Sequence, residues 1–202
     1  MNPAWSRDVV FSFTMGGTAN ISSGEDAMDV YDAVRTRLTV REFKPDPVPD
    51  DIVEKLLRAA QWAPSSRNLQ PWHFIVIKDR ATLQQIGRIA TSGGFVADAP
   101  MAIAIAMENA DRAELDAGRT LQQMELVAWS EGLGTCFAGL RVEEQNRKVK
   151  ELLGIPDSFV LVTVLPFGYR KDGVRGTGRK RRKPLSEITH SEKYGQNYTN
   201  KA

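Results

Sequence analysis

Three short segments of the chain gather hydrogen-bonding and cationic side chains in patterns that ordinary helices and strands do not require. The first is Arg37-Leu38-Thr39-Val40-Arg41-Glu42-Phe43, where basic residues leave a helix end and enter an extended stretch. The second is the loop Ala63-Pro64-Ser65-Ser66-Arg67-Asn68-Leu69-Gln70-Pro71-Trp72, with two prolines bracketing polar side chains. The third is Lys180-Arg181-Arg182-Lys183-Pro184-Leu185. Convergent cations suit an anion such as a phosphate, and an asparagine amide can both donate to and accept from a polar ligand edge. Each segment alone has an ordinary explanation: Asn68 could cap a turn, Trp72 could be core, and the arginines could lie on a solvated face.

Other chemistry is set aside by counting. Two histidines, His73 and His190, and one cysteine, Cys136, are too few for a zinc site of the usual ligands. The sequence contains neither a Gly-x-Ser-x-Gly elbow nor a P-loop. The run Gly132-Leu133-Gly134-Thr135-Cys136-Phe137-Ala138-Gly139 has the wrong context for a dinucleotide fingerprint, following a helix rather than a strand. It reads as a helix cap and turn, and Cys136 as a small packed residue.

The elements that must position these segments alternate along the chain. Val30, Ala33, Val34 and Arg37–Leu38 recur at helical spacing. Asp50 or Asp51 can cap the next helix, which carries Ile52, Val53, Leu56, Leu57 and Ala60 and stops before Pro64. Phe74–Lys78 and Met101–Met107 read as strands, with a helix over Thr82–Ala90 between them. The longest helical pattern runs from about Asp111 to Glu131, closed by Gly132 and Gly134. A helix at about Glu143–Leu153 and a strand at Phe159–Leu165 complete the series, and a polar tail contains Tyr194 and Tyr198. Residues 1–27 lack any such period and read as a loosely ordered tail, ahead of one α+β domain over 28–202 with an extended C-terminal tail.

A chain of 202 residues, 42% hydrophobic and 26% charged, can bury a core without disulfides or metals. Its single cysteine forbids an internal disulfide and fits a reducing compartment, so a cytoplasmic location is expected. No apolar run approaches the ~20 residues that span a bilayer. The net charge of +2 conceals an uneven distribution. Residues 170–183 hold eight basic side chains against one acidic, a local charge of +7, while the remainder holds 19 basic and 24 acidic, or −5. A solvated loop, a nucleic-acid patch and a small-phosphate site are the three readings of that segment. Residues 170–183 contain no aromatic side chain, which disfavours nucleic acid.

Taken in order, the segments resemble the nitroreductase family of flavin enzymes. That family opens with an Arg-Arg-Ser-x-Arg-x-Phe-like segment and continues with a Pro-Ser-x-x-Asn-x-Gln-Pro-Trp loop. A Gly-Leu-Gly-Thr turn after a long helix and a basic segment before Pro-Leu complete its pattern. Four matches follow here in that order over roughly residues 30–185, a single-domain span. The resemblance implies a mostly antiparallel central sheet flanked by helices, and FMN bound at the interface of an intertwined homodimer. Arg37 would meet the phosphate from one side, with Lys180 and Arg182 on the other. Leu38 and Thr39 would lie beside it, and Arg41 near the pyrimidine edge of the ring. Asn68 would meet the ring's polar edge, and the turn Phe137-Ala138-Gly139 would offer backbone N–H groups to the reactive nitrogen. Pro64, Ser65 and Ser66 would touch the flavin of the opposite subunit.

The activity so implied is ping-pong transfer from NADH or NADPH through FMN to a small acceptor such as a nitroaromatic or quinone. The cofactor would carry the chemistry, with no catalytic side chain, metal, nucleic acid or membrane required. Two residues depart from the pattern: Leu38 stands where many relatives are basic, and Gln123 replaces a common asparagine. A reductive dehalogenase or an enzyme that consumes the flavin is the alternative within the family. Outside it stand a nucleic-acid-binding protein and a partner-binding protein that has lost its flavin.

Overall fold

A computed structural model describes residues 28–172 and 181–198, so the tail expected over 1–27 and the site residue Lys180 lie outside the described residues. Four strands, β1 (Trp72–Ile77), β2 (Met101–Met107), β3 (Leu133–Thr135) and β4 (Val160–Tyr169), form one antiparallel sheet in the order β1-β2-β4-β3. The helices are α1 (Val30–Thr36), α2 (Asp50–Gln61), α3 (Arg80–Ile89), α4 (Ala113–Ser130), α5 (Glu143–Leu153) and the single turn α6 (Leu185–Ile188). The α+β class and the antiparallel sheet follow the sequence expectation.

The sequence of β2, Met-Ala-Ile-Ala-Ile-Ala-Met, dictates the layering because successive side chains leave a strand on opposite faces. Met101, Ile103, Ile105 and Met107 pack with Leu56 and Ala60 of α2 and Met124 and Ala128 of α4. Ala102, Ala104 and Ala106 pack on the other face with Leu83 and Ile86 of α3 and Val149 of α5. Each fully buried Leu or Ile contributes about 1.5–3 kcal/mol, so the two faces together dominate the stability. A smaller cluster of Ala33, Val40, Phe43, Ala99 and Trp129 fastens the segment after α1 to the end of α4. Trp72 belongs to the first of these clusters, as core.

Two local expectations are corrected. Asp50 and Asp51 do not cap α2: Pro49 is the N-cap, and both carboxylates lie in the first turn, where they meet the positive end of the helix dipole. Gly134 is not part of a helix cap, because Leu133–Thr135 is an edge strand paired with Phe167–Tyr169. Gly132, at φ +79°, ends α4 alone. Gly134 is glycine for a packing reason, since a Cβ there would stand 2.5 Å from the Cβ of Val40. Among the described residues no helix is long and apolar enough to cross a membrane.

Candidate functional site

The extended run after α1 is fixed by β3. Thr39 forms a parallel bridge with Thr135, the Val40 N–H donates to the Thr135 carbonyl at 2.9 Å, and Phe43 bridges Arg170 just beyond β4. These contacts turn Val40 and Phe43 inward and leave Thr39 and Arg41 exposed. Arg37 is the C-cap of α1, and its guanidinium lies 3.5 Å from the carboxylate of Glu125, a buried residue of α4. Leu38 packs against the Ala33–Trp129 cluster. The Trp129 indole N–H donates to Thr36 Oγ1 at 2.9 Å, tying the end of α1 to α4.

The loop before β1 is held differently. Arg67, Asn68 and Gln70 have φ of +52°, +58° and +50°, a left-handed conformation that L-residues adopt at a cost of about 1–2 kcal/mol each. The buried carboxylate of Asp116, on α4, offsets that cost. It accepts the Ser66 backbone N–H at 2.9 Å and an Arg119 N–H at 2.8 Å. Arg119 also reaches the Pro64 carbonyl at 3.5 Å, and Ser65 Oγ accepts the Gln70 N–H at 3.0 Å. Pro64 and Asn68 line a cavity of about 410 Å³ with Gln61, Trp62 and Gln70. The Asn68 side-chain amide is exposed and makes no hydrogen bond among the described residues.

Asp116 and Glu125 therefore each anchor one of the sequence-predicted segments. They are nine residues apart on α4, about 13 Å along the axis and about half a turn around it. Within one chain the extended Arg37–Arg41 segment and the Pro64–Asn68 loop consequently lie on opposite faces of the same helix.

The turn Phe137-Ala138-Gly139 joins the first of these groups. Ala138 bridges Val164 of β4, and its carbonyl accepts the buried Thr163 hydroxyl at 3.0 Å. The Phe137 ring folds over Gly139, where a Cβ would meet it at 3.1 Å. Phe137, Gly139 and Arg41 line one cavity of about 410 Å³. Cys136, beside them, is buried, which pushes its thiol above the usual range, and the neighbouring Arg41 guanidinium offsets part of that effect. The described part of the basic segment stands apart. Arg182 lines a cavity of about 300 Å³ with Arg181, Lys183 and Glu187, separate from the cavity that Arg41 lines.

Some residues of the basic segment have structural duties. The Arg170 guanidinium lies 3.8 Å from the centre of the Trp129 ring, and its burial lowers its pKa. Lys171 pairs with Glu42 at 3.1 Å, and Asp172 with Lys44 at 2.8 Å. Sequence reasoning missed both anchoring carboxylates. The available signal was an acidic residue on an inward stripe, since Asp116 recurs with Thr120 and Met124 at spacing of four.

The pattern of the Nitroreductase family matches the chain over residues 34–110 and 90–169. A protein of Methanothermobacter thermautotrophicus named NADH dehydrogenase/NAD(P)H nitroreductase is 32% identical over 158 residues, covering 75% of this chain and 83% of that protein. The crystal structure of a NADH dehydrogenase/NAD(P)H nitroreductase from Bacteroides thetaiotaomicron is 25% identical, with a TM-score of 0.75 over 82% of this chain and 98% of that one. An FMN-dependent nitroreductase from Clostridium difficile is 25% identical, with a TM-score of 0.71 over 80% of this chain and 98% of that one. With the sheet order, the extended segment after α1 and the strained loop before β1 already in place, these matches establish that the chain belongs to the nitroreductase family.

Proposed function

We propose that the protein is an FMN-dependent NAD(P)H oxidoreductase that reduces a small organic acceptor such as a nitroaromatic or quinone. The observation that carries this reading is the pair of anchored groups on α4, because their side chains match the chemistry of a flavin nucleotide. Arg37, anchored at Glu125, is a cation suited to a phosphate, as is Arg182 outside the anchored groups, and Asn68 presents an amide that is unpartnered among the described residues and suited to the polar edge of the ring. Thr135 Oγ1, beside the Thr39 bridge, is buried with no hydrogen-bond partner among the described residues, an orphaned polar atom of the kind that a ligand satisfies. Gly139 allows close approach of a flat ring to the backbone. Bound FMN would supply the hydride-accepting and electron-passing chemistry between NADH or NADPH and the acceptor. The chain's own residues hold the phosphate, orient the ring and place a fixed positive charge, Arg41, near it.

A second copy of the chain completes this site. Since the two groups lie on opposite faces of α4, one flavin meets both only where Pro64, Ser65 and Ser66 come from a partner. Several exposed features support that homodimer. Val30, Tyr31 and Val34 of α1 are exposed, as are Leu185, Ile188 and Tyr198 near the C-terminus. Gly118 interrupts α4 although a Cβ there would meet nothing within 4 Å, and glycine costs a helix about 1 kcal/mol relative to alanine. A closely packed partner helix would explain its use.

The protein as purified should be yellow, and NADH or NADPH should bleach its flavin band under anaerobic conditions. Colourless protein that FMN fails to reconstitute would refute the reading. Replacing Lys180 and Arg182 together by alanine should weaken FMN binding by at least ~2 kcal/mol, since each charged hydrogen bond is worth roughly 1.5–3. Unchanged affinity would assign the phosphate to other cations.

A further inference from the structure

The cavity of about 410 Å³ at the Phe137 turn extends beyond the residues assigned to the flavin. Its walls include Arg41 and Arg141, the rings of Phe95 and Phe137, and Thr91 and Gln145. No carboxylate lines it, and neither arginine has an ion pair within 4.0 Å among the described residues. Arg37, Arg58, Arg119 and Arg147, by contrast, each sit beside a carboxylate. The space is ring-sized and too small for a whole dinucleotide. Arg41 already lies 5.8 Å from the centre of the Phe95 ring, and Phe137 is 44% exposed, so both aromatic rings border the opening.

The walls are fixed to one another. The Gln145 amide donates to Thr91 Oγ1 at 3.0 Å, and Ser92 Oγ donates to the Gly139 carbonyl at 3.4 Å. These bonds join the end of α3 to the turn before α5 and to α5 itself, so the cavity is formed before a ligand arrives. Aromatic faces and two guanidinium groups in one small cavity free of carboxylates complement a planar ring that carries a negative charge.

We infer that this cavity selects planar aromatic anions as acceptors, with Arg141 as the residue that reads their charge. The inference rests on the proposed flavin chemistry for what is reduced there, but not for what is bound. Arg141 is exposed on the surface turn, so its replacement leaves the core intact.

Calorimetric titration with benzoate and with benzamide, which are alike in shape and differ in charge, separates the two claims. Wild-type protein should bind benzoate at least tenfold more tightly than benzamide. Arg141→Ala should lower that preference with no change in FMN content, Arg41 being left in place, and Arg141→Lys should restore part of it. With 4-nitrobenzoate and 4-nitrobenzamide as acceptors, Arg141→Ala should raise KM for the anion alone and leave kcat for the amide unchanged. Equal binding of benzoate and benzamide by the wild type, or equal weakening of both by Arg141→Ala, would overturn the inference. Colourless protein would instead count against the flavin reading, because the calorimetric comparison requires no flavin.

Discussion

The extended Arg37–Phe43 segment and the Pro64–Gln70 loop carry the two halves of the candidate site, and they are built on opposite principles. The extended segment is held along its length: isolated bridges from Thr39 to Thr135 and from Phe43 to Arg170 aim its side chains, and the load is shared among several backbone contacts. The loop is irregular, with three left-handed residues in four positions, and its bonds to α4 run through the buried carboxylate of Asp116 and through Arg119, which that carboxylate holds. Distributed anchoring tolerates local damage, whereas a strained loop held at one point does not. The loop is the part of the site that a single substitution should release.

Asp116→Ala tests that contrast most severely. It strands the Ser66 N–H and the Arg119 guanidinium, and should cost about 3 kcal/mol, read as a lower urea midpoint. Asp116→Asn keeps an acceptor and should cost less than half as much; equal losses would mean that packing, not the carboxylate, holds the loop. Gly134→Val attacks the extended segment by forcing atoms into the Val40 side chain, and should cost about 2 kcal/mol and lower FMN retention. Glu125→Gln leaves Arg37 a neutral acceptor and should cost about 1 kcal/mol, with a smaller loss of bound flavin than Asp116→Ala. If Glu125→Gln proves the more damaging of the two, the extended segment and not the loop is the fragile half.

The smallest effect concerns Cys136. Burial holds its thiol protonated to higher pH in the folded chain than in the unfolded one. Its contribution to stability is therefore present below the ordinary thiol pKa of 9.0 and declines above it. Iodoacetamide should leave native protein unmodified at pH 7.5 and label it once it is unfolded. Rapid labelling of the native protein would show that the turn opens.

Much of the frame was legible because it follows from periodicity. The short apolar run Met101–Met107 and the helical pattern at about Glu143–Leu153 coincide with β2 and α5. The candidate segments stood out through their order and spacing, since each residue in them taken alone has an ordinary explanation. What escaped was long-range. Leu133–Thr135 is a strand only because β4 and Val40 lie beside it, and three residues around a glycine carry no strand signal of their own. Asp116 and Glu125 went unremarked, because the loop and Arg37 that fold onto them are remote in sequence. Arg170 likewise read as one more cation of a basic loop, whereas it stacks on Trp129.

The placement of the tryptophans gives each half of the site its own fluorescent reporter. Trp129 is 2% exposed, stacked under Arg170 and bonded to Thr36, so its emission should be blue-shifted and sensitive to the docking of α1. Trp62 is 82% exposed at the cavity that holds Asn68, so its emission should be red-shifted. Flavin absorbs where indole emits. Variants retaining one tryptophan at a time would thus report the approach of a flavin to each half separately, by the loss of a distinct emission band.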